Sequence, residues 1–400
     1  MNKRKTIYSI LLAGLLAGII IFGLSACGQT QSATAAQTER DVTYPGTGGV
    51  TLAGTLLIPA HPQGQRVPAA LIVAGSGATD RNGNEPGAGV TTDVYQQIAE
   101  QLAQQGIASL RYDKRGVGAS TPVPLPKNPN QPTPAEVARV QDFAAWANYV
   151  ADAQASLTYL QQQPEIDPAH IALIGHSEGG YIVEQVASME QTAGHPVAAL
   201  VLISAPGRTY DVVFREQVVN LLAREDVSAN TTAFVLSKYD EIIAGIKQNG
   251  HTPPAALQAL RGNPDVPMVV VNLLSSSFSA YNDKFWQGAL QVNPTALVAA
   301  YPGPVLVLQG EKDTQVFASQ DTPLLDAALK SRKPDDHEIL LVPGASHFLK
   351  LVQPGDPQSG ISGPIVASAT NTLRSWLAAK LSAGTTLAAS SLALAAASTN

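Results

Sequence analysis

Hydrophobic residues along this 400-residue chain recur as short, uninterrupted runs separated by stretches of helical periodicity. Three of the runs are PAALIVAG at 68–75, HIALIGH at 170–176 and PVLVLQG at 304–310. Strands that are apolar throughout are typical of a sheet covered on both faces. Amphipathic stretches at 94–106 and 145–163 lie between such runs. The alternation predicts an α/β fold with a mostly parallel central sheet and helices on both faces.

Further strand-like runs fit the same sheet. They lie at 107–113, 198–204 and 338–344, and a hairpin-like segment occupies 42–59. We therefore expect the fold to begin near Asp41.

Two segments interrupt this rhythm. Residues 121–134 contain six prolines, which predicts an extended loop at the rim of the sheet. The span 207–303 is too long for a plain loop between two core strands. Its mixed helical pattern predicts a helical cap inserted between a first part of the core, 41–206, and a second part, 304–381. We expect the Ala/Ser/Thr-rich tail, 382–400, to be disordered or a loosely held helix.

The first 26 residues have the pattern of an export signal. Positions 3–5 are basic, and no charge occurs from 7 to 24. The sequence Leu-Ser-Ala-Cys at 24–27 resembles the lipobox of bacterial lipoproteins, in which the cysteine is acylated and the chain is cut before it. The resemblance implies that 1–26 is a signal peptide and that Cys27 carries lipid. The alternative is a signal-anchor helix that happens to end in a cysteine.

Lipidation of Cys27 would hold the folded body at a bacterial membrane, on the extracytoplasmic side. Residues 27–40 are small and polar, as in a flexible tether. The net charge of −6 becomes −9 when the three basic residues of the signal are removed, which argues against nucleic acid as a partner. Because Cys27 is the only cysteine, an internal disulfide or a cysteine-based metal site is impossible, and we expect no metal or cofactor.

The run at 170–176 leads into Gly175-His176-Ser177-Glu178-Gly179. A Gly-x-Ser-x-Gly pattern is short enough to occur by chance, but this one joins an apolar strand to a helix. A sharp turn there would force Ser177 into strained backbone angles and expose its hydroxyl, while His176 would point away across the turn. The N–H groups at the helix start would face any developing negative charge. This is a nucleophile elbow, and the chain here resembles the α/β-hydrolase family.

The resemblance implies a triad in the chain order serine, acid, histidine. Asp313, in PVLVLQGEKDTQV, follows a buried strand at the place where the family carries its acid. His347, in EILLVPGASHF, follows the next strand. Glu311 and Asp321 are rival acids, and Asp240 in the predicted cap is a more distant one.

An oxyanion hole is implied as well. In the family it is formed by the N–H that follows the nucleophile, here that of Glu178, and by a second N–H from the loop after the third strand. That loop lies in LIVAGSGATDRNGN, residues 71–84, where Ser76 is the first choice and Gly77 the alternate. An ordinary turn or a phosphate-binding loop is the alternative, but the segment lacks the spacing and the terminal Lys-Ser/Thr of a P-loop.

The segment GSGATDRNGN also resembles the GSGPxDRDGN motif of bacterial EstD-type esterases. That group carries a sequence similar to RYDKRGVGAS, residues 111–120. The resemblance implies that Asp80, Arg81, Asp113 and Arg115 form a charge network that braces the oxyanion loop. Solvated loop charges are the alternative.

Together these features predict a lipid-anchored serine hydrolase for small-molecule carboxylic esters. Aromatic residues in the predicted cap favour short or medium acyl groups. A peptidase or amidase like the serine aminopeptidases remains an alternative, as does a thioesterase or acyltransferase. A non-catalytic binding lipoprotein is a further alternative, against which the intact triad argues.

Overall fold

The apolar runs form strands of one large sheet. The computed structural model describes residues 34–129, 131–332 and 336–397. Eight strands in these ranges are hydrogen-bonded in the order β10-β9-β8-β7-β5-β6-β3-β2, and the short β1 and β4 pair separately. The strands are β1 (Thr34–Ala35), β2 (Thr38–Pro45), β3 (Thr51–Ile58), β4 (His61–Pro62), β5 (Val67–Val73), β6 (Ala108–Tyr112), β7 (Ile166–His176), β8 (Ala199–Ile203), β9 (Val305–Gly310) and β10 (His337–Val342).

Helices connect most of these strands. In the described ranges they are α1 (Val94–Ala103), α2 (Pro134–Phe143), α3 (Trp146–Gln161), α4 (Glu178–Thr192), α5 (Tyr210–Arg224), α6 (Ala229–Asn249), α7 (Pro254–Gly262), α8 (Met268–Ser277), α9 (Asp283–Ala289), α10 (Pro294–Ala300), α11 (Ala318–Lys330) and α12 (Ala367–Ala397). Short 3-10 turns lie at Thr47–Gly49, Pro86–Ala88, Ala280–Asn282 and Pro357–Gly360.

The six strands β5 to β10 run parallel to one another. At one end of this sheet, β3 is antiparallel to both of its neighbours, β6 and β2. The expectation of a mostly parallel sheet is confirmed. The carboxyl ends of parallel strands share one edge of the sheet, which is where such folds build their sites.

Burial on both sides explains why the strand sequences are apolar throughout. In β5, Val67, Ala69 and Leu71 point into a core that also contains α3, α4, α10 and α11. The alternate residues Ala70 and Ile72 point into a second core, built with α1 and α12. A strand with helices on both faces has no face exposed to solvent, so neither set of side chains is polar.

The inserted residues between β8 and β9 are helical. Buried side chains of α5 to α9, from Val218 to Trp286, form a third hydrophobic core of their own. In contrast, Val298 of α10 packs in the core under the sheet. The predicted cap, 207–303, therefore extends too far, because it includes α10, a helix that packs on the sheet before β9 begins.

The N-terminal part of the sheet begins earlier than expected. Thr34–Ala35 and Thr38–Pro45 are strands, so the end of the predicted tether, 27–40, belongs to the folded part. The strand β2 is polar because it lies at the sheet edge and pairs only with β3, which is why its pattern resembled a tether. The predicted signal peptide, 1–26, and the lipidation site Cys27 lie outside the described residues.

The C-terminal helix α12 runs to Ala397. Its first part packs on the sheet through Leu373 and Leu377. The helix continues through residues 382–397, most of the segment that was expected to be disordered or loosely helical. Among the described residues, none of the helices combines the length and the apolar character needed to cross a membrane.

Candidate active site

Ser177 occupies a sharp turn between β7 and α4. Its backbone angles are φ 54° and ψ −122°. Residues other than glycine rarely adopt this conformation, which costs about 1–3 kcal/mol. Two hydrogen bonds hold the turn. The N–H of Ser177 donates to the Ile203 carbonyl at 2.9 Å, and its carbonyl accepts from the Gly180 N–H at 2.8 Å. The strained backbone expected from the sequence is present, whereas Ser177, expected to expose its hydroxyl, is 8% exposed and buried.

The two glycines of the motif are required by close backbone contacts. A Cβ on Gly175 would collide with the Gly179 carbonyl, and a Cβ on Gly179 would collide with the Val73 carbonyl. The start of α4 can therefore lie directly against the ends of β5 and β7. This contact brings the first N–H groups of α4 next to the loop that follows β5.

Asp313 and His347 are brought together by the loops after β9 and β10. The Nδ1 of His347 lies 2.8 Å from the Asp313 Oδ2, and both side chains are buried. The other oxygen of Asp313 accepts from the N–H groups of Gln315 at 2.8 Å and Val316 at 3.0 Å. The Gln309 amide also donates to Oδ2, at 3.0 Å. The carboxylate is thus held from several directions.

These contacts fix the ionisation of Asp313 and the orientation of His347. Burial by itself would raise the pKa of Asp313, but the interactions with His347 and the backbone N–H groups outweigh it and lower that pKa. An ionised Asp313 accepts the proton on Nδ1 of His347. The lone pair of the neutral imidazole then lies on Nε2, as a general base for a serine requires.

The rival acids have other partners. Glu311 is partly exposed and accepts from the Gly344 N–H at 2.8 Å. Asp321 is buried against Arg208, with an ion-pair distance of 2.8 Å. Asp240 pairs with an arginine on the surface of the inserted helices. Of the acids considered from the sequence, Asp313 is the one that contacts His347.

The loop after β5 lies beside Ser177. A Cβ on Gly75 would be 3.2 Å from the Cβ of Ser177. Ser76 and Gly77 line the same cavity as Ser177 and Glu178, so the residues predicted to supply the N–H groups of an oxyanion hole surround one space. Hydrogen bonds hold the backbone of Gly75 on both sides. Its N–H donates to the Tyr95 hydroxyl at 2.9 Å, and its carbonyl accepts from the Lys114 ammonium at 2.5 Å.

His176 connects this loop to the loop that carries His347. Its Nε2 lies 3.0 Å from the His347 carbonyl and its Nδ1 lies 2.9 Å from the Tyr95 hydroxyl. Burial lowers the pKa of His176 to about 3, so the ring is neutral. Nε2 must then donate to the carbonyl, and Nδ1 accepts from Tyr95. Sequence reasoning missed Tyr95, because nothing in the sequence relates α1 to the elbow.

The four charged residues predicted to brace the oxyanion loop belong to separate contacts. Arg81 pairs with Asp113 at 2.8 Å, and its N–H donates to the same carboxylate at 2.8 Å. Asp80 accepts from N–H groups of its own loop, including that of Asn84 at 2.9 Å. Arg115 instead pairs with the buried Asp152 at 2.7 Å. The single predicted network therefore consists of an Arg81–Asp113 pair, a loop contact of Asp80 and a remote pair of Arg115.

The hydrogen bonds to Asp113 keep it ionised. Burial by itself would raise the pKa of this carboxyl, but hydrogen bonds from Arg81 and from the Ala119 N–H outweigh it and lower that pKa. The pair fixes residue 81 and hence the far end of the 71–84 segment.

Residues 86–242 match the sequence model of the family described as serine aminopeptidase, S33. The matched span includes the elbow but ends before Asp313 and His347. The sheet is mostly parallel, a serine lies at the strand-to-helix elbow after β7, and an Asp–His pair follows β9 and β10. These features together assign the fold. The chain has the α/β-hydrolase fold.

Several solved α/β-hydrolase structures are similar to it. Proline iminopeptidase from Mycobacterium smegmatis is 18% identical, with 86% of this chain and 100% of that chain covered and a TM-score of 0.49. Est1E from Butyrivibrio proteoclasticus, solved with ferulic acid, is 15% identical, with 85% and 99% covered and a TM-score of 0.48. A thermophilic esterase from Thermogutta terrifontis is 16% identical, with 86% and 99% covered and a TM-score of 0.44. The comparison with curated proteins gave no match.

In this α/β-hydrolase fold, Ser177 and Ser76 lie where two cavities meet. The larger, about 490 Å³, extends under the inserted helices and is lined by aromatic residues including Phe285 and Trp286. The smaller, about 230 Å³, is lined by His347. The site can therefore receive a molecule on both sides of the serine hydroxyl.

Proposed function

We propose that this protein is a serine hydrolase that cleaves carboxylic esters through an acyl-enzyme on Ser177. The observation that carries the proposal is the contact of 2.8 Å between Asp313 and His347, beside a cavity that His347 and Ser177 both line. An oriented imidazole that lines the same cavity as a serine side chain is the arrangement that activates a serine nucleophile.

The proposed reaction has two halves. In the first, His347 takes the Ser177 proton while the serine oxygen attacks the ester carbonyl, and the N–H groups of Ser76 and Glu178, with Gly77 as alternate, stabilise the oxyanion. The intermediate collapses, His347 gives the proton to the departing alcohol, and an acyl-serine remains. In the second half, His347 activates water, which releases the acid and restores the serine. Asp313 stabilises the imidazolium in both halves.

An amidase or peptidase activity is the second candidate, because the matching family model is described as serine aminopeptidase. The same groups would serve, with an amine leaving in place of an alcohol. The two candidates differ in the substrate that the cavities accept rather than in the chemistry at Ser177.

We also propose that the protein is a lipoprotein held at the extracytoplasmic face of a bacterial membrane. The order of basic residues, apolar stretch and Leu-Ser-Ala-Cys at 24–27 supports this. Metabolic labelling with a fatty acid should modify the wild-type chain and leave Cys27→Ala unlabelled. Equal labelling of both would refute lipidation at Cys27.

A fluorophosphonate probe followed by peptide mass spectrometry tests the hydrolase proposal. The wild-type protein should be labelled at Ser177, while Ser177→Ala and His347→Ala should not react. A panel of p-nitrophenyl esters and aminoacyl amides then separates the candidates by kcat/KM. Absence of labelling at Ser177 in folded wild-type protein would contradict both, and amides that react faster than esters would favour the second.

A further inference from the structure

The side chain of Glu178 lies in the larger cavity, next to the proposed nucleophile. Its Oε2 accepts a hydrogen bond of 2.7 Å from the hydroxyl of Tyr210, which comes from the first inserted helix. Its Oε1 lies 3.5 Å from the ammonium of Lys114, at the upper limit of a direct contact. The side chains of Lys114 and Glu178 are 5% and 6% exposed. A carboxylate and an ammonium are therefore buried together in the wall of the cavity.

The two cavities can be assigned to the two halves of an ester. The departing alcohol takes its proton from His347, so it has to leave on the side where that imidazole lies. His347 is among the residues that line the smaller cavity and not among those that line the larger one. The acyl group then extends into the larger cavity, alongside Glu178 and Lys114.

We infer that Glu178 and Lys114 are specificity-determining residues that select an uncharged acyl group bearing a hydroxyl. This inference rests on the proposed ester hydrolysis at Ser177. A hydroxyl can donate to the carboxylate and accept from the ammonium, so one substituent meets both members of the pair. Hydrogen bonds to charged groups in a buried site are the stronger kind.

The charge balance of the pair disfavours the alternatives. An acyl group with an ammonium, as in an aminoacyl substrate, would approach Glu178 only by coming next to Lys114, and a like charge in a desolvated site is costly. An anionic acyl group would likewise bring a negative charge next to the carboxylate of Glu178. A purely apolar acyl group would fit the aromatic wall around Phe285 and Trp286 but would leave the pair without a partner for its remaining hydrogen-bonding capacity.

The test compares methyl esters that differ only in the acyl substituent. Methyl butanoate, methyl 3-hydroxybutanoate (both enantiomers), methyl 3-aminobutanoate and monomethyl succinate keep the leaving group constant, and acid release gives kcat/KM for each. We expect the better hydroxy enantiomer to exceed the unsubstituted ester by about tenfold, the effect of one good hydrogen bond. The two charged esters should react more slowly than the unsubstituted one.

Two variants unbalance the pair in opposite directions. Glu178→Gln leaves Lys114 uncompensated, so the anionic ester should gain relative to the cationic one. Lys114→Met leaves Glu178 uncompensated and should shift the ratio towards the cationic ester. Because Lys114 also contacts Gly75, all rates should fall in Lys114→Met, and the ratio between substrates is the quantity to compare. Lys238→Met and Glu241→Gln, in an exposed pair on α6 at 2.7 Å, are matched controls that should leave every ratio unchanged.

The outcomes separate the inference from the proposed function. A wild-type protein that labels at Ser177 but prefers the apolar or the amino ester overturns the inference alone. Variants that lower all rates by the same factor, with unchanged ratios, also overturn it, because a pair that only supports the structure would behave in that way. A protein that neither labels at Ser177 nor hydrolyses any ester removes the proposed function as well.

Discussion

The hydroxyl of Tyr95 lies 2.9 Å from Nδ1 of His176 and accepts the Gly75 N–H at the same distance. The other ring nitrogen of His176, Nε2, donates to the backbone carbonyl of His347. Burial raises the pKa of Tyr95, so the phenol keeps the proton that it donates. A continuous chain of hydrogen bonds thus joins the loop of the proposed oxyanion hole to the loop of the proposed base.

Tyr95 also lines the smaller cavity, and replacing it with Phe should loosen both loops. We expect kcat to fall about tenfold to a hundredfold, the cost of small misplacements at a reacting centre, while KM changes little. Tyr301→Phe is the matched control, because Tyr301 is also buried and its hydroxyl donates one hydrogen bond, to the Val197 carbonyl at 2.9 Å. Both variants should lose stability, measured by urea denaturation. Equal kinetic effects in the two would mean that Tyr95 has only a general structural role.

Asp313→Asn tests the identity of the acid. The amide cannot stabilise the His347 imidazolium and can present a donor to Nδ1, so kcat should fall by about 10,000-fold. Glu311→Gln, two residues earlier and partly exposed, should retain activity close to that of the wild type. Steady-state ester hydrolysis by both proteins decides between the two acids, and the reverse order of effects would assign the role to Glu311.

The buried pair of Arg115 and Asp152 should matter for folding rather than for catalysis. Two contacts of 2.7 Å join them, and both side chains are at most 2% exposed. Asp152→Asn leaves a buried guanidinium without its counter-charge, which should lower the free energy of unfolding by about 3–5 kcal/mol. Asp240→Asn breaks the exposed pair with Arg215 and should cost at most about 1 kcal/mol. Urea denaturation of the two variants gives the comparison, and similar losses would refute the role of burial.

Glu184 in α4 is a buried carboxyl whose oxygens have no hydrogen-bond partner among the described residues. Burial raises its pKa well above the ordinary value of 4.5. The unfolded chain releases this proton above about pH 4.5 while the folded protein keeps it, so stability contributed by the protonated group is lost as pH rises. Glu184→Met should therefore raise the free energy of unfolding by about 1–3 kcal/mol at pH 8, with a smaller gain at pH 5.

The control for Glu184 is Glu190 in the same helix. Its carboxylate accepts a hydrogen bond of 2.8 Å from Gln154, so Glu190→Met removes a partnered group and should not stabilise the protein. Urea denaturation at both pH values provides the measurement. A Glu184→Met protein less stable than the wild type at pH 8 would contradict the assignment of a neutral, unpartnered carboxyl.

The strands could be predicted because burial on both faces leaves a strong local pattern. Segments such as 304–310 and 338–344 correspond closely to β9 and β10. The helix α2 was not predicted, although Thr133 and Glu136 form a capping box at its start, a signal that the sequence does contain. The six prolines of 121–134 favoured an extended loop instead.

The residues of the candidate site were accessible to sequence reasoning only where a motif marks them. Ser177 has its glycines, and His347 and Asp313 follow recognisable strands. Tyr95 and Asp152 have no such mark, since their partners lie 81 and 37 positions away in the chain. Pairing between a helix and a distant loop depends on how the elements pack, and hydrophobic periodicity carries no information about it.

The inserted helices α5 to α9 have a hydrophobic core of their own, which meets one core of the sheet at Tyr210 and Phe285. A substitution in this core mainly affects the packing of those helices. The strands β7, β9 and β10 still hold the proposed catalytic groups in position. Substitutions can therefore accumulate in the wall of the larger cavity over the course of evolution. Substrate specificity could then change while the proposed catalytic residues stay the same.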